Sequence, residues 1–129
     1  MIELNMSKAR NKQIHIALDF DGTLAYYDKW EGQYNKVGAP IPKMLANVKE
    51  WLARGYKVTI FTARLSHGIK EAAESEAAIK QFLKDAGLPE LPITAVKMHF
   101  FTHLIDDKAY HVPKNSGEIE GLDEFVIQD

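Results

Sequence analysis

Along the chain, short apolar runs alternate with longer stretches whose apolar residues recur at helical spacing. Ile14-His15-Ile16-Ala17-Leu18 is mostly apolar and partly β-branched, and it passes straight into acidic residues and Gly22. That pattern predicts a buried strand ending in a polar turn. From Ala25 to Pro40 no clean period holds, and Tyr26, Tyr27, Trp30 and Tyr34 are scattered among Gly32, Gly38 and charges, which predicts a long loop or irregular hairpin. Pro42 then suits a first helical turn, Leu45, Val48 and Leu52 form a stripe flanked by Met44 and Trp51, and Gly55 is placed to end the helix. Tyr56-Lys57-Val58-Thr59-Ile60-Phe61 predicts a second strand that ends at Thr62-Ala63-Arg64, followed by a polar loop with Ser66, His67 and Gly68.

A second amphipathic helix is predicted from Ile69, Ala72, Ala73, Ile79, Phe82, Leu83 and Ala86. Its acidic residues Glu71, Glu74 and Glu76 come early and Lys80 and Lys84 late, as the helix dipole favours, and Gly87 and Pro89 stop it. Ile93 to Val96 predicts a short third strand, Phe100 to Ile105 contains a fourth that runs into Asp106-Asp107, and Glu124-Phe125-Val126-Ile127 is a candidate terminal strand. Strands alternating with helices over short connections imply βαβ units. The expected fold is therefore α/β, a three-layer Rossmann-like domain with a central, mostly parallel sheet. No repeat, low-complexity tract or linker divides residues 1–129, so one domain is expected.

Composition narrows the chemistry. Hydrophobic residues are 46% and charged residues 26%, ordinary for a globular domain. The formal net charge of -2 supplies no global pull toward nucleic acid or an anionic membrane. The chain has no cysteine, which removes disulfides, thiolate nucleophiles and cysteine zinc sites, so any metal must sit on oxygen or imidazole. Met1 to Lys12 lacks the apolar stretch of a secretory signal and no run reaches membrane-spanning length, so a cytoplasmic protein is expected.

Three predicted strands end in polar groups: Asp19 and Asp21, Thr62, and Asp106 with Asp107. In an open parallel sheet these carboxyl ends share one edge, where ligand crevices form. Carboxylates gathered without a neutralising partner favour a bound cation, and a hard ion such as Mg2+ suits an all-oxygen set. Phosphoryl transfer needs a nucleophile, positive charge on the phosphoryl oxygens and a proton donor for the leaving oxygen. Asp19 is the candidate nucleophile and Asp21 the candidate acid and base. Thr62 and Lys97 are candidates for holding the transferring oxygens, and Asp106 and Asp107 complete the metal set. Gly22, Thr23, Ala63 and Arg64 are the expected substrate-binding residues.

These residues resemble the four motifs of the haloacid dehalogenase superfamily, specifically its phosphatases. Asp19-Phe20-Asp21-Gly22-Thr23-Leu24 matches the first, Thr62 after an apolar strand the second, Lys97 the third and Ile105-Asp106-Asp107 the fourth, in family order. The resemblance spans roughly Ile14 to Ala109. It implies a magnesium-dependent phosphomonoester hydrolase working through an aspartyl-phosphate on Asp19, with Asp21 as general acid and base. It also implies a metal held by the Asp19 carboxylate, the Asp21 main-chain carbonyl and Asp106. The connections after the first motif and after Thr62 are too short for the cap domain of many relatives, so a capless form is expected. Its substrate would be shielded by the loop 25–40, by a partner subunit or by its own bulk.

Several roles stay open at this level. Lys108 rivals Lys97, and Asp107 could bind metal, orient a lysine or cap the next turn. The loop aromatics suit packing more than base stacking, and Arg64 is either an anion clamp or a surface ion pair. His15 reads as structural, and His67, His99, His103 and His111 lack metal-ligand spacing as a set. A receiver-type signalling domain also carries an acidic pair, an acceptor Asp, a Thr and a Lys. Its acidic pair would come first rather than last, however, and a catalytically silent binding protein would have no need of Asp21. The expected partner is a small phosphorylated substrate, nucleotide-like or a sugar phosphate. A nucleic-acid end is less favoured by the acidic net charge.

Overall fold

The computed structural model describes residues 13–121. The terminal strand expected at Glu124–Ile127 and the segment Met1–Lys12 lie outside them. The elements are β1 (His15–Leu18), α1 (Pro42–Ala53), β2 (Lys57–Phe61), a 3-10 turn (Ala63–Ser66), α2 (Ile69–Asp85), β3 (Ile93–Thr94) and β4 (His103–Ile105). The strands form one all-parallel sheet in the order β3-β2-β1-β4, which is the Rossmann-like α/β architecture expected. No helix among the described residues is long and apolar enough to cross a membrane.

Both helices start and stop where the sequence places the signals. Pro42 opens α1. Each helix then closes with a glycine in the left-handed region, Gly55 at φ 84° and Gly87 at φ 77°. After α1, Gly55 N donates to Leu52 O and Tyr56 N to Trp51 O. After α2, Gly87 N donates to Lys84 O and Leu88 N to Leu83 O. Each pair of bonds satisfies end carbonyls that would otherwise lack donors, and an apolar residue follows in each case.

Ile16 and Leu18 of β1 pair in register with Val58 and Ile60 of β2, so these four side chains share one sheet face. They form the core with Phe20, Leu24, Val48 from α1, and Ile79, Phe82 and Leu83 from α2. The crossovers β1-α1-β2 and β2-α2-β3 step along the sheet in the same direction, which puts both helices on this face, so the described residues show one helix layer on the sheet rather than the three-layer arrangement expected. On the opposite face the chain between β3 and β4 passes over His15, whose ring lies 4.7 Å from Phe100 and 5.3 Å from Phe101. His15 Nε2 also sits 2.7 Å from Thr59 Oγ1, and burial followed by the nearby Lys57 charge pushes its pKa down. It is a structural histidine, as its place inside a strand suggests.

Two strands are shorter than their apolar runs. β3 stops at Thr94 because the Thr94 hydroxyl accepts a hydrogen bond from Val96 N at 3.0 Å and turns the chain. β4 begins only at His103, because Phe100 and Phe101 are spent on packing against His15.

Candidate active site

β1 lies in the interior of the sheet, with β2 on one side and β4 on the other, so the residues that follow these three strands meet at one edge. Chain direction along the sheet reverses between β1 and β4, the position where open α/β sheets leave a crevice. Asp19 sits there, its N–H bonded to Ile105 O at 2.9 Å in continuation of the β1–β4 pairing. Carboxylate oxygens of Asp19, Asp106 and Asp107 lie within 4.8 Å of one another. A cavity of about 580 Å³ opens over them, and Asp21, Thr62, Ala63, Arg64 and Lys108 also line it.

The turn after β1 is built for close approach. The N–H groups of Leu24 and Ala25 both bond to Phe20 O, at 2.9 and 3.0 Å, and Gly22 N bonds to Ala25 O at 2.8 Å. Gly22 has φ 83°, and a Cβ there would stand 2.9 Å from Asp107 Oδ2 and 3.2 Å from Asp107 Cγ. Glycine is therefore required twice, by backbone conformation and by the carboxylate leaning on it. Gly22→Ala is expected to cost about 1–2 kcal/mol from the left-handed backbone alone. Denaturant unfolding measures this, and an unchanged midpoint would contradict the strain.

Thr23 is 7% exposed, and its hydroxyl ties the acidic residues together. The O–H lies 2.9 Å from Asp107 Oδ1 and 3.2 Å from Asp19 Oδ2, while its oxygen accepts from Asp107 N at 3.1 Å. The structure thus places this expected substrate-binding residue beneath the carboxylates, orienting them. Burial first, then the hydrogen bond shared with Asp107 and the charge of Asp106, raise the Asp19 pKa to about 7. Asp107 moves the opposite way, held down first by its bond with Asp19 and aided by Thr23. The two behave as a pair sharing one proton, with burial keeping that proton on Asp19 and leaving the more exposed Asp107 as the anion.

Thr62 is 3% exposed, and its Oγ1 accepts from Arg64 N at 3.2 Å, capping the turn that follows β2. Arg64 is buried at 6% exposure, contrary to a surface ion pair. Its guanidinium grips Asp21 by two bonds, Nε to Oδ2 at 2.7 Å and Nη2 to Oδ1 at 3.0 Å. Lys97 is exposed and is not among the residues lining the cavity, whereas Lys108 is. The early end of β3 turns the chain away before Lys97, so the lysine at this edge is the one beside the acidic pair.

The 25–40 loop is an irregular hairpin closed by Tyr26 N to Ala39 O at 2.9 Å and an Ala25–Pro40 bridge. Of its four aromatics, Trp30 and Tyr34 pack against each other and against His67, while Tyr26 is exposed. Trp30 lies 4.9 Å from Tyr34 and 6.1 Å from the nearly parallel His67 ring, and the Arg64 guanidinium carbon stands 5.4 Å from the Trp30 ring. Tyr27 and Trp30 nonetheless remain 41% and 42% exposed where they line the cavity. Ser75 is a group that the sequence reading passed over. It is fully buried on the apolar stripe of α2 and donates to Tyr34 O at 2.9 Å, and a hydroxyl on that stripe is itself a signal of a backbone partner.

Comparison with protein-family models, curated proteins and solved structures finds no match to this chain.

Proposed function

We propose that this protein is a magnesium-dependent phosphomonoester hydrolase of the haloacid dehalogenase type with Asp19 as nucleophile. The observation that carries the reading is the convergence of Asp19, Asp106 and Asp107 within 4.8 Å at one sheet edge, with Asp21 and Thr62 lining the same cavity. The donor set fits a hard divalent cation: three carboxylates, no sulfur, and a glycine where a Cβ would crowd Asp107. Asp19 and Asp106 would hold it, with Asp107 beside them. Bound there, it would neutralise the carboxylates and the phosphoryl oxygens so that two anions can approach.

The remaining chemistry belongs to the chain. An Asp19 oxygen attacks phosphorus, the bond to the leaving oxygen breaks, and Asp21, which must first take up a proton despite its pairing with Arg64, gives that proton to the leaving oxygen. Asp21 then takes a proton from a water that attacks the aspartyl-phosphate, the Asp19–phosphorus bond breaks, and inorganic phosphate leaves. Thr62 and Lys108, which line the cavity, would hold the transferring oxygens. The exposed rings of Tyr27 and Trp30 favour a planar, nucleotide-like leaving group over a sugar. A panel of nucleoside monophosphates, sugar phosphates and phosphorylated oligonucleotide ends, assayed with magnesium, tests both parts. Turnover of none of them would refute the hydrolase, and preference for sugar phosphates would refute the aromatic contact.

The shared proton gives a second test. Because Asp19 holds a proton up to about pH 7 without metal, a divalent cation must displace it. Magnesium affinity is expected to rise between pH 6 and 8, with up to about one proton released per ion at the acid end. Calorimetric titration in buffers of different ionisation enthalpy reads this directly, and pH-independent binding would contradict it.

A further inference from the structure

Arg64 joins three separate parts of the site. Its guanidinium holds both oxygens of Asp21, at 2.7 and 3.0 Å, and it also reaches two main-chain carbonyls of the hairpin loop. Nη1 donates to Tyr34 O at 3.0 Å and Nη2 to Lys36 O at 2.8 Å. Its own backbone is fixed in the turn after β2 by the bond to Thr62. Ser75 of α2 donates to the same Tyr34 carbonyl, and the Trp30 ring lies against the guanidinium. The side chain is 7% exposed and that of Asp21 20%.

A guanidinium has five N–H donors, and four hydrogen bonds are committed here. No paired edge is left for a substrate anion, which rules against the clamp role that its position in the sequence suggests. A buried ion pair survives only when its remaining donors and lone pairs are satisfied. The two loop carbonyls do that for Arg64. Without the hairpin in place the arginine would lose partners, and among the described residues no other hydrogen bond holds the Asp21 carboxylate. Asp21 and Arg64 also line both the active-site cavity and a neighbouring one of about 400 Å³ under the loop, so the pair stands between the two.

We propose that Arg64 is a positioning residue that fixes the Asp21 carboxylate and locks the 25–40 hairpin to it, so that proton transfer to and from the reacting oxygens depends on the hairpin being docked. The proposal rests on the hydrolase reading. It differs from a purely structural role because Asp21 acts unequally on different leaving groups. A p-nitrophenolate departs without a proton, whereas an alkoxide requires one. Both routes need Asp21 again to deprotonate the water that hydrolyses the aspartyl-phosphate.

The test is rapid-mixing kinetics with magnesium on wild type, Arg64→Lys and Arg64→Gln, using p-nitrophenyl phosphate and a simple alkyl phosphate. Lysine keeps the charge and the stem but cannot form the paired contact. Both variants are expected to keep a near-stoichiometric burst of p-nitrophenolate while the steady-state rate falls by roughly 100-fold or more, the scale of lost general acid-base catalysis. The alkyl phosphate should show no burst. Hydrogen exchange is expected to speed up across residues 26–38 in both variants. Wild-type steady-state rates in a folded variant, equal slowing of burst and turnover, or unchanged hairpin exchange would each overturn the proposal. Wild-type protein that turns over neither ester is the one result that overturns the hydrolase reading as well.

Discussion

Asp19→Asn is expected to lower phosphomonoester turnover by at least about 10³-fold and, without metal, to make the protein more stable than wild type. The loss follows because an amide nitrogen or oxygen does not replace a carboxylate as nucleophile toward phosphorus. The gain follows from electrostatics. The Asp19 carboxyl is raised from its ordinary 3.8 to about 7 by burial, by its bond to Asp107 and by the Asp106 charge. A raised folded-state pKa means that the folded protein binds the proton more tightly than the unfolded chain. That contribution is full below about pH 4 and is lost as pH rises through about 7.

At pH 8 wild type therefore carries an ionised carboxylate its surroundings disfavour, while the asparagine variant carries a neutral group that can still donate to Asp107. The difference is expected to be about 1–2 kcal/mol, less than the full shift implies because solvent reaches the carboxyl. Melting curves should separate at pH 8 and converge near pH 4, and magnesium should stabilise wild type more than the variant. Retained turnover would remove Asp19 as nucleophile. A variant less stable than wild type at pH 8 would remove the account of its charge.

Gly38→Ala is expected to be the most damaging single-methyl addition in the hairpin. A Cβ at Gly38 would sit 2.0 Å from Tyr26 O and 2.9 Å from the Tyr26 carbonyl carbon, both main-chain atoms that cannot rotate aside. The two arms of the hairpin would have to separate, breaking the Tyr26–Ala39 hydrogen bond and drawing the Tyr34 and Lys36 carbonyls from Arg64. A cost of about 3 kcal/mol is expected, from overpacking together with a disturbed buried ion pair. Gly32→Ala is the control, since its Cβ would meet nothing within 4 Å and only its φ of 79° opposes it. Denaturant midpoints and protease cleavage between residues 26 and 38 measure the contrast, and equal effects at the two glycines would contradict it.

Much of the fold was legible because apolar runs in this chain end abruptly in polar groups. Leu18 gives way to Asp19, Phe61 to Thr62 and Ile105 to Asp106, so each strand end announces the residue it delivers to the sheet edge. Glycines after both helices were equally plain, since a left-handed terminus has few alternatives. Lys97 was misplaced because Ile93 to Val96 reads as an unbroken strand, and nothing in that run reveals the turn made by the Thr94 hydroxyl. Phe100 and Phe101 misled for a related reason: aromatics with high strand propensity serve equally to cover a sheet face. The burial of Arg64 was illegible in principle. Its partners lie 43 residues away at Asp21 and 30 and 28 away in the hairpin, and only the folded chain brings them together.

The halves of the acidic cluster ride on strands with unequal support. β1 is paired on both sides and buried, whereas β4 is a three-residue strand that, among the described residues, pairs with β1 alone, with Leu104 44% exposed. Short strands of this kind are where local opening begins, well below the free energy of global unfolding. Asp106 and Asp107 thus follow a strand that can peel from the sheet more readily than β1, which delivers Asp19. An ion gripping both sides would act as a clasp across that seam, making occupancy of the site and closure of the sheet edge a single equilibrium.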